Sequence, residues 1–157
     1  MPKFIEVRDD VFATGSVACD VKEIREFYRA NIDDLVKAFD ECKKIFKVDN
    51  VNLFVRNIRK ASRVGYYQNS TKEIAIDIRR YDLKEIVSTI IHEMTHAQQY
   101  ATKKLIQKSK KTVTFDGKNY NDIDANKDYE GYRNLPWEIE ARKMQEKYID
   151  KVMKAIS

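Results

Sequence analysis

The chain has 157 residues, with 30 Lys and Arg against 25 Asp and Glu and a formal net charge of +5. That length suits a single domain (1–157) with a real core, and with only four Gly and two Pro the chain is predicted to be mostly regular elements with few tight turns. Interleaved acids and bases point to a solvated charged surface rather than a nucleic-acid-binding face, no apolar run reaches membrane-spanning length, and Met1 to Asp10 lacks the apolar stretch of a signal peptide, so a cytoplasmic location is expected.

Residues 1–48 read as an N-terminal segment followed by one long helix. Asp20 with Glu23 makes a capping box, and Ile24, Tyr28, Leu35, Phe39, Cys42 and Phe46 recur at close to heptad spacing, which predicts a packing helix over Val21 to Lys47. Cys19 and Cys42 sit at unrelated positions and are read as small apolar fillers, not a disulfide framework. Strands are predicted over Val51 to Asn57, near Arg63 to Gln68, and over Glu73 to Ile78, with a turn at Asn69 to Lys72 and with Ile74, Ile76 and Ile78 on one face.

A second helix starts at Asp82, with Glu85 three residues on as in a capping box. Its apolar positions are Leu83, Ile86, Val87, Ile90, Ile91, Met94, Ala97, Ala101 and Leu105, a helical spacing sustained over about six turns. Beside this stripe lie both histidines of the chain, in the string His92-Glu93-Met94-Thr95-His96. Two histidines placed at random in a chain of this length fall four apart about once in eighty, and the intervening Glu makes chance rarer still. Residues four apart share a helix face, so both imidazoles can aim at one metal ion. Glu93, one step round, overhangs that position as a general base. An open zinc site needs a third protein ligand, and with no histidine left it is expected to be a downstream carboxylate.

The stretch from Lys103 to Asn134 is predicted to be a long insert on the rim of a cleft. It holds a basic run from Lys103 to Lys111, a strand pair over Thr112 to Phe115 and Lys118 to Tyr120 around Asp116-Gly117, and the alternation Asp122, Asp124, Asn126, Asp128. The last lacks the Gly and closing Glu of a calcium loop and is read as a polar surface loop. Tyr129 and Tyr132 are candidates to stabilise an oxyanion, with Arg133 and Arg142 behind them. A last helix is predicted from Pro136, which suits a first turn, to Ile156. Glu138 and Glu140 both compete for the third-ligand role; two apart, they point to nearly opposite sides, and spacing does not choose between them.

His-Glu-x-x-His followed by Glu-x-x-Ala on a later helix resembles the gluzincin metallopeptidases, above all the small single-domain minigluzincins and related sequences often carried by phages, prophages and archaeal viruses. The resemblance spans roughly residues 50 to 145, a zincin core, and includes the string Pro136-Trp137-Glu138-Ile139-Glu140-Ala141-Arg142. It implies an α+β fold: a small three-stranded sheet over the active-site helix, a long insert and a C-terminal glutamate helix. It implies Zn²⁺ held by His92, His96 and Glu138, since the family's ligand lies three before the Ala. Glu93 is then the base, the substrate a peptide or protein, and Glu73 to Ile78 the candidate edge strand to which that peptide adds. Arg142 departs from the pattern, because many gluzincins have there an Asp that accepts from a ligand histidine. The acceptor is therefore expected elsewhere, from Glu140, a nearby Asp or a main-chain carbonyl.

Two other readings accompany this one. The site could be latent or non-catalytic, its cleft blocked by Met1 to Asp20 or by Lys147 to Ser157. Alternatively, the clusters at Lys103 to Lys111 and Arg56 to Arg63 could serve a nucleic-acid-associated protein, either a module with structural zinc or a protease of the SprT type, whose third histidine this chain lacks. Oligomeric state is not legible.

Overall fold

The computed structural model describes residues 5–7, 21–55, 65–77, 82–125 and 127–157. The fold is mixed α+β. In chain order the elements are β1 (Ile5–Val7), α1 (Val21–Phe46), β2 (Asn52–Val55), β3 (Gly65–Gln68), β4 (Glu73–Ile76), α2 (Leu83–Ala101), β5 (Leu105–Gln107), β6 (Thr112–Phe115), β7 (Lys118–Asn121), α3 (Tyr129–Arg133) and α4 (Pro136–Ile156). The capping residue Asp20, Cys19, Ile78, Asn126 and the basic cluster 56–63 lie outside the described residues.

The three predicted strands form one sheet, to which β1 adds a fourth, in the order β1-β2-β4-β3. Strands β1, β2 and β4 run parallel, while β3 runs antiparallel to β4 with Gly65 opposite Ile76 and Gln68 opposite Glu73. This corrects the expected edge. β4 is paired on both sides, and Ile74, Ala75 and Ile76 are all buried, so both faces of the strand are covered. Among the described residues the edges are β1 and β3.

The core lies between this sheet and the three long helices. Leu35, Phe39 and Cys42 of α1 pack with Leu53, Ile74 and Ile76 of the sheet and with Ile86, Val87, Ile90, Ile91 and Met94 of α2. Each of the Leu, Ile, Val, Phe and Met side chains among these, fully buried, contributes roughly 1.5–3 kcal/mol. Burial pushes the Cys42 thiol up to about 12, helped by Glu41. Helix α2 begins as predicted, Asp82 accepting from the Glu85 backbone N–H at 2.9 Å. It ends a turn earlier than its apolar spacing suggests. Thr102 caps it, and Lys103 takes the left-handed conformation (φ 60°) that turns the chain away. Leu105 therefore belongs to β5 and not to the helix.

The insert carries the predicted strand pair, with β5 as a third strand. Strands β5, β6 and β7 form an antiparallel sheet, closed at Asp116-Gly117 by two residues of positive φ, 51° and 79°, as a two-residue hairpin requires. Leu105, Val113 and Phe115 pack against Leu135 and Trp137, making a second small core. Trp137 meets Tyr120 edge-to-face at 5.7 Å. This sheet thus anchors the start of α4. In the acidic alternation, Asp128 caps α3 by accepting from the Gly131 N–H at 2.9 Å. Among the described residues no helix is long and apolar enough to cross a membrane.

Candidate metal centre

α2 and α4 pack side by side and bring Glu138 onto the two histidines. His92 Nε2 lies 3.0 Å from Glu138 Oε1, and His96 Nε2 lies 2.9 Å from Glu138 Oε2. The imidazole centroids are 5.0 Å apart, one turn apart along α2. One ligand atom from each of the three residues lies within 4.8 Å of the others, and among the described residues this is the one cluster of its kind. The site is largely sheltered: the side chains of His92, His96 and Glu138 are 20, 11 and 5% exposed. Glu138 sits in the first turn of α4, where Pro136 starts the helix without a side-chain cap.

Glu140 is turned away. Its carboxylate accepts from Gln99 Nε2 at 3.0 Å and from Lys104, which also approaches Asp116 at 3.9 Å. Helix phase thus separates the two glutamates that spacing left open. It also commits one member of the basic run, Lys104, to the fold.

The outer nitrogens of both histidines meet glutamines. His96 Nδ1 is 2.8 Å from Gln99 Oε1, and His92 Nδ1 is 2.8 Å from Gln145 Oε1. Gln99 Nε2 donates to the Trp137 carbonyl at 3.2 Å and to Glu140, both pure acceptors. Gln145 Nε2 donates to the Ser88 carbonyl at 3.1 Å and the Ser88 hydroxyl at 2.9 Å. Those bonds orient each amide, so its oxygen faces the ring and Nδ1 must carry the hydrogen. In a neutral imidazole Nε2 is then a bare lone pair. With both rings neutral, two lone pairs and two carboxylate oxygens would converge at 2.9–3.0 Å with no donor between them. Such a set is satisfied by a cation or by protons on both rings, and two His nitrogens with one carboxylate suit zinc. Without a metal, burial disfavours charge on the rings, but Glu138 and Glu93 outweigh it, raising His92 and taking His96 to about 9. Burial would raise Glu138, yet the two imidazoles hold it well below the usual carboxylate range.

A cavity of about 760 Å³ opens over this cluster. Glu93, buried beside it, lines the cavity along with the predicted Tyr129, Tyr132, Arg133 and Arg142. Tyr129 stands at the rim, 51% exposed. The edge strand that lines the cavity is β3, not β4. Gly65 permits its approach: a Cβ there would lie 2.6 Å from Thr89 Cγ2 and 3.6 Å from Glu93 Cγ. Lys147 to Ser157 do not enter the cavity. They continue α4, with Val152 wholly buried in the core, which removes the expected blocking role of that tail. Of the N-terminal segment, Ile5–Val7 lie at the far edge of the sheet from β3.

Three site residues escaped the sequence reading, though their spacing carried a signal. Gln99 and Tyr100 follow His96 by three and four residues, and Gln145 follows Glu138 by seven, so each shares a helix face with a residue of the cluster. Tyr100 lines the cavity and is kept neutral by burial, with Asp122 and Glu138 adding to the shift; Tyr67, 5.9 Å away between ring centroids, is pushed up to about 12 by burial and by Tyr100. Comparison with protein-family models, with curated proteins and with solved structures finds no match for this chain.

Proposed function

We propose that this chain is a zinc-dependent peptidase in which His92, His96 and Glu138 hold the metal and Glu93 is the general base. The observation that carries the reading is the set of two imidazole Nε2 atoms and one carboxylate, each ring locked from behind by a glutamine, at the floor of an open cavity beside a buried Glu. Zinc, when bound, supplies a Lewis acid that polarises a carbonyl and lowers the pKa of a water. Glu93 takes the proton of the attacking water and delivers it to the leaving amine as the C–N bond breaks. Tyr100, Tyr129 and Tyr132 line the cavity and offer phenol groups to the carbonyl oxygen as it gains charge. β3, an edge of its sheet among the described residues, lies beside the cavity, where a peptide can pair as an added strand.

The test is metal content by mass spectrometry on purified wild type, Glu138→Ala and Glu140→Ala, each after zinc reconstitution. About one zinc per chain, lost in Glu138→Ala and kept in Glu140→Ala, is expected. A wild type that takes up no zinc would end the peptidase reading.

A further inference from the structure

We infer that the cavity selects substrates carrying a carboxylate near the scissile bond, and that Arg142, with Arg133 at the rim, receives it; this deepens the peptidase reading and rests on it for the word substrate. Among the described residues lining the cavity, the cationic side chains besides the histidines are these two arginines. Neither forms an ion pair among the described residues, in contrast to Lys104, which Glu140 holds. Arg142 follows Glu138 by four residues on α4 and precedes Gln145 by three, so it lies on the same face as both, and all three line the cavity. Arg142 is partly buried, which shields its charge from solvent and strengthens any pairing made there. Arg133 ends α3, at the opening guarded by Tyr129.

Charge bookkeeping gives the sign of the ligand. The cavity has two carboxylates, Glu93 and Glu138, and a divalent ion would offset both. The two guanidiniums are left over, so the cavity favours an anionic group. A planar guanidinium matches a carboxylate with two parallel N–H···O bonds, which selects that group over a neutral amide of the same shape. The carboxylate can come from an Asp or Glu side chain or from a peptide's own C-terminus; both present the same two oxygens.

The experiment measures binding without turnover. Zinc-loaded Glu93→Gln protein is titrated with fluorescent, N-acetylated, C-amidated hexapeptides of Ala and Tyr in which one Glu is moved through every position, each paired with its Gln twin. A further set has no Glu and a free C-terminus. At one or two positions the Glu peptide should bind about tenfold tighter than its twin. Arg142→Leu should erase that gain, and Arg142→Lys should restore part of it. A gain confined to the free-C-terminus set identifies the main-chain carboxylate as the ligand instead. Equal binding of all twins and of both termini, absence of binding throughout, or a gain that survives both Arg142→Leu and Arg133→Leu overturns the proposal. Cleavage of the tightest peptide by zinc-loaded wild type is read separately. An acid preference without cleavage fails the peptidase reading and leaves the carboxylate site standing; cleavage without preference does the reverse.

Discussion

Gln99 Oε1 lies 2.8 Å from His96 Nδ1, and the same amide donates to the Trp137 carbonyl and to Glu140. One side chain of α2 therefore joins His96, the first turn of α4 and, through Glu140, Lys104 ahead of β5. The ring it holds cannot flip or change tautomer without breaking a buried, fully satisfied network.

Replacing Gln99 by Leu keeps the volume but removes the acceptor. Zinc affinity should fall about 10–100-fold, read by competition with a chromogenic chelator. A nitrogen-correlated NMR spectrum of the metal-free protein, recorded above pH 9 where the His96 ring is neutral, should show it losing its single tautomer. Unchanged affinity together with an unchanged tautomer would mean that packing alone orients the ring.

Glu93→Gln should retain the metal and lose about 10²–10⁴-fold in peptide hydrolysis, because the amide cannot accept the proton. His96→Ala should lose both. Peptidase turnover persisting in Glu93→Gln at the wild-type rate would eliminate Glu93 as the base.

Stability should respond to pH with opposite signs in the two metal states. In the metal-free chain His92 and His96 are raised, the latter to about 9 from 6.5, so their contribution is complete below 6.5 and fades as pH rises toward 9. Glu138 is lowered, so its contribution is complete above 4.5 and is lost only in stronger acid. Metal-free protein should thus be most stable between about pH 4.5 and 6.5. With zinc the imidazoles must be deprotonated to bind, so stability should instead climb from about pH 5 to 8. Thermal melts across this range, with and without chelator, decide it; parallel curves would argue against metal binding at these histidines.

A Cβ on Gly65 would stand 2.6 Å from Thr89 Cγ2 and 3.0 Å from the Ala75 carbonyl oxygen. Thr89 is held in place by its 3.0 Å bond to the Glu85 carbonyl. Gly65→Ala should therefore push β3 off α2 at a cost of about 1–3 kcal/mol and lower kcat/KM by moving the cavity wall. Adding Thr89→Ser, which deletes the methyl, should recover much of both losses. A Gly65→Ala protein with native melting temperature and activity would show that the strand tolerates displacement.

Local patterns in the chain were enough to determine α2 and its contents. The Asp82 cap, the apolar stripe and the four-residue spacing of His92 and His96 act within a few turns, so no distant contact is needed to read them. The Asp116-Gly117 hairpin and the Pro136 start of α4 are of the same kind. Tertiary packing decided what depends on which surfaces meet. The rotational phase of α4 against α2 put Glu138 on the histidines and Glu140 on Gln99. Strand order made β3 the edge and sealed β4 between neighbours, because three short strands of similar composition carry no record of their order. The left-handed turn at Lys103 ended α2 and sent Leu105 to a second core that a helical stripe alone could not distinguish from the first.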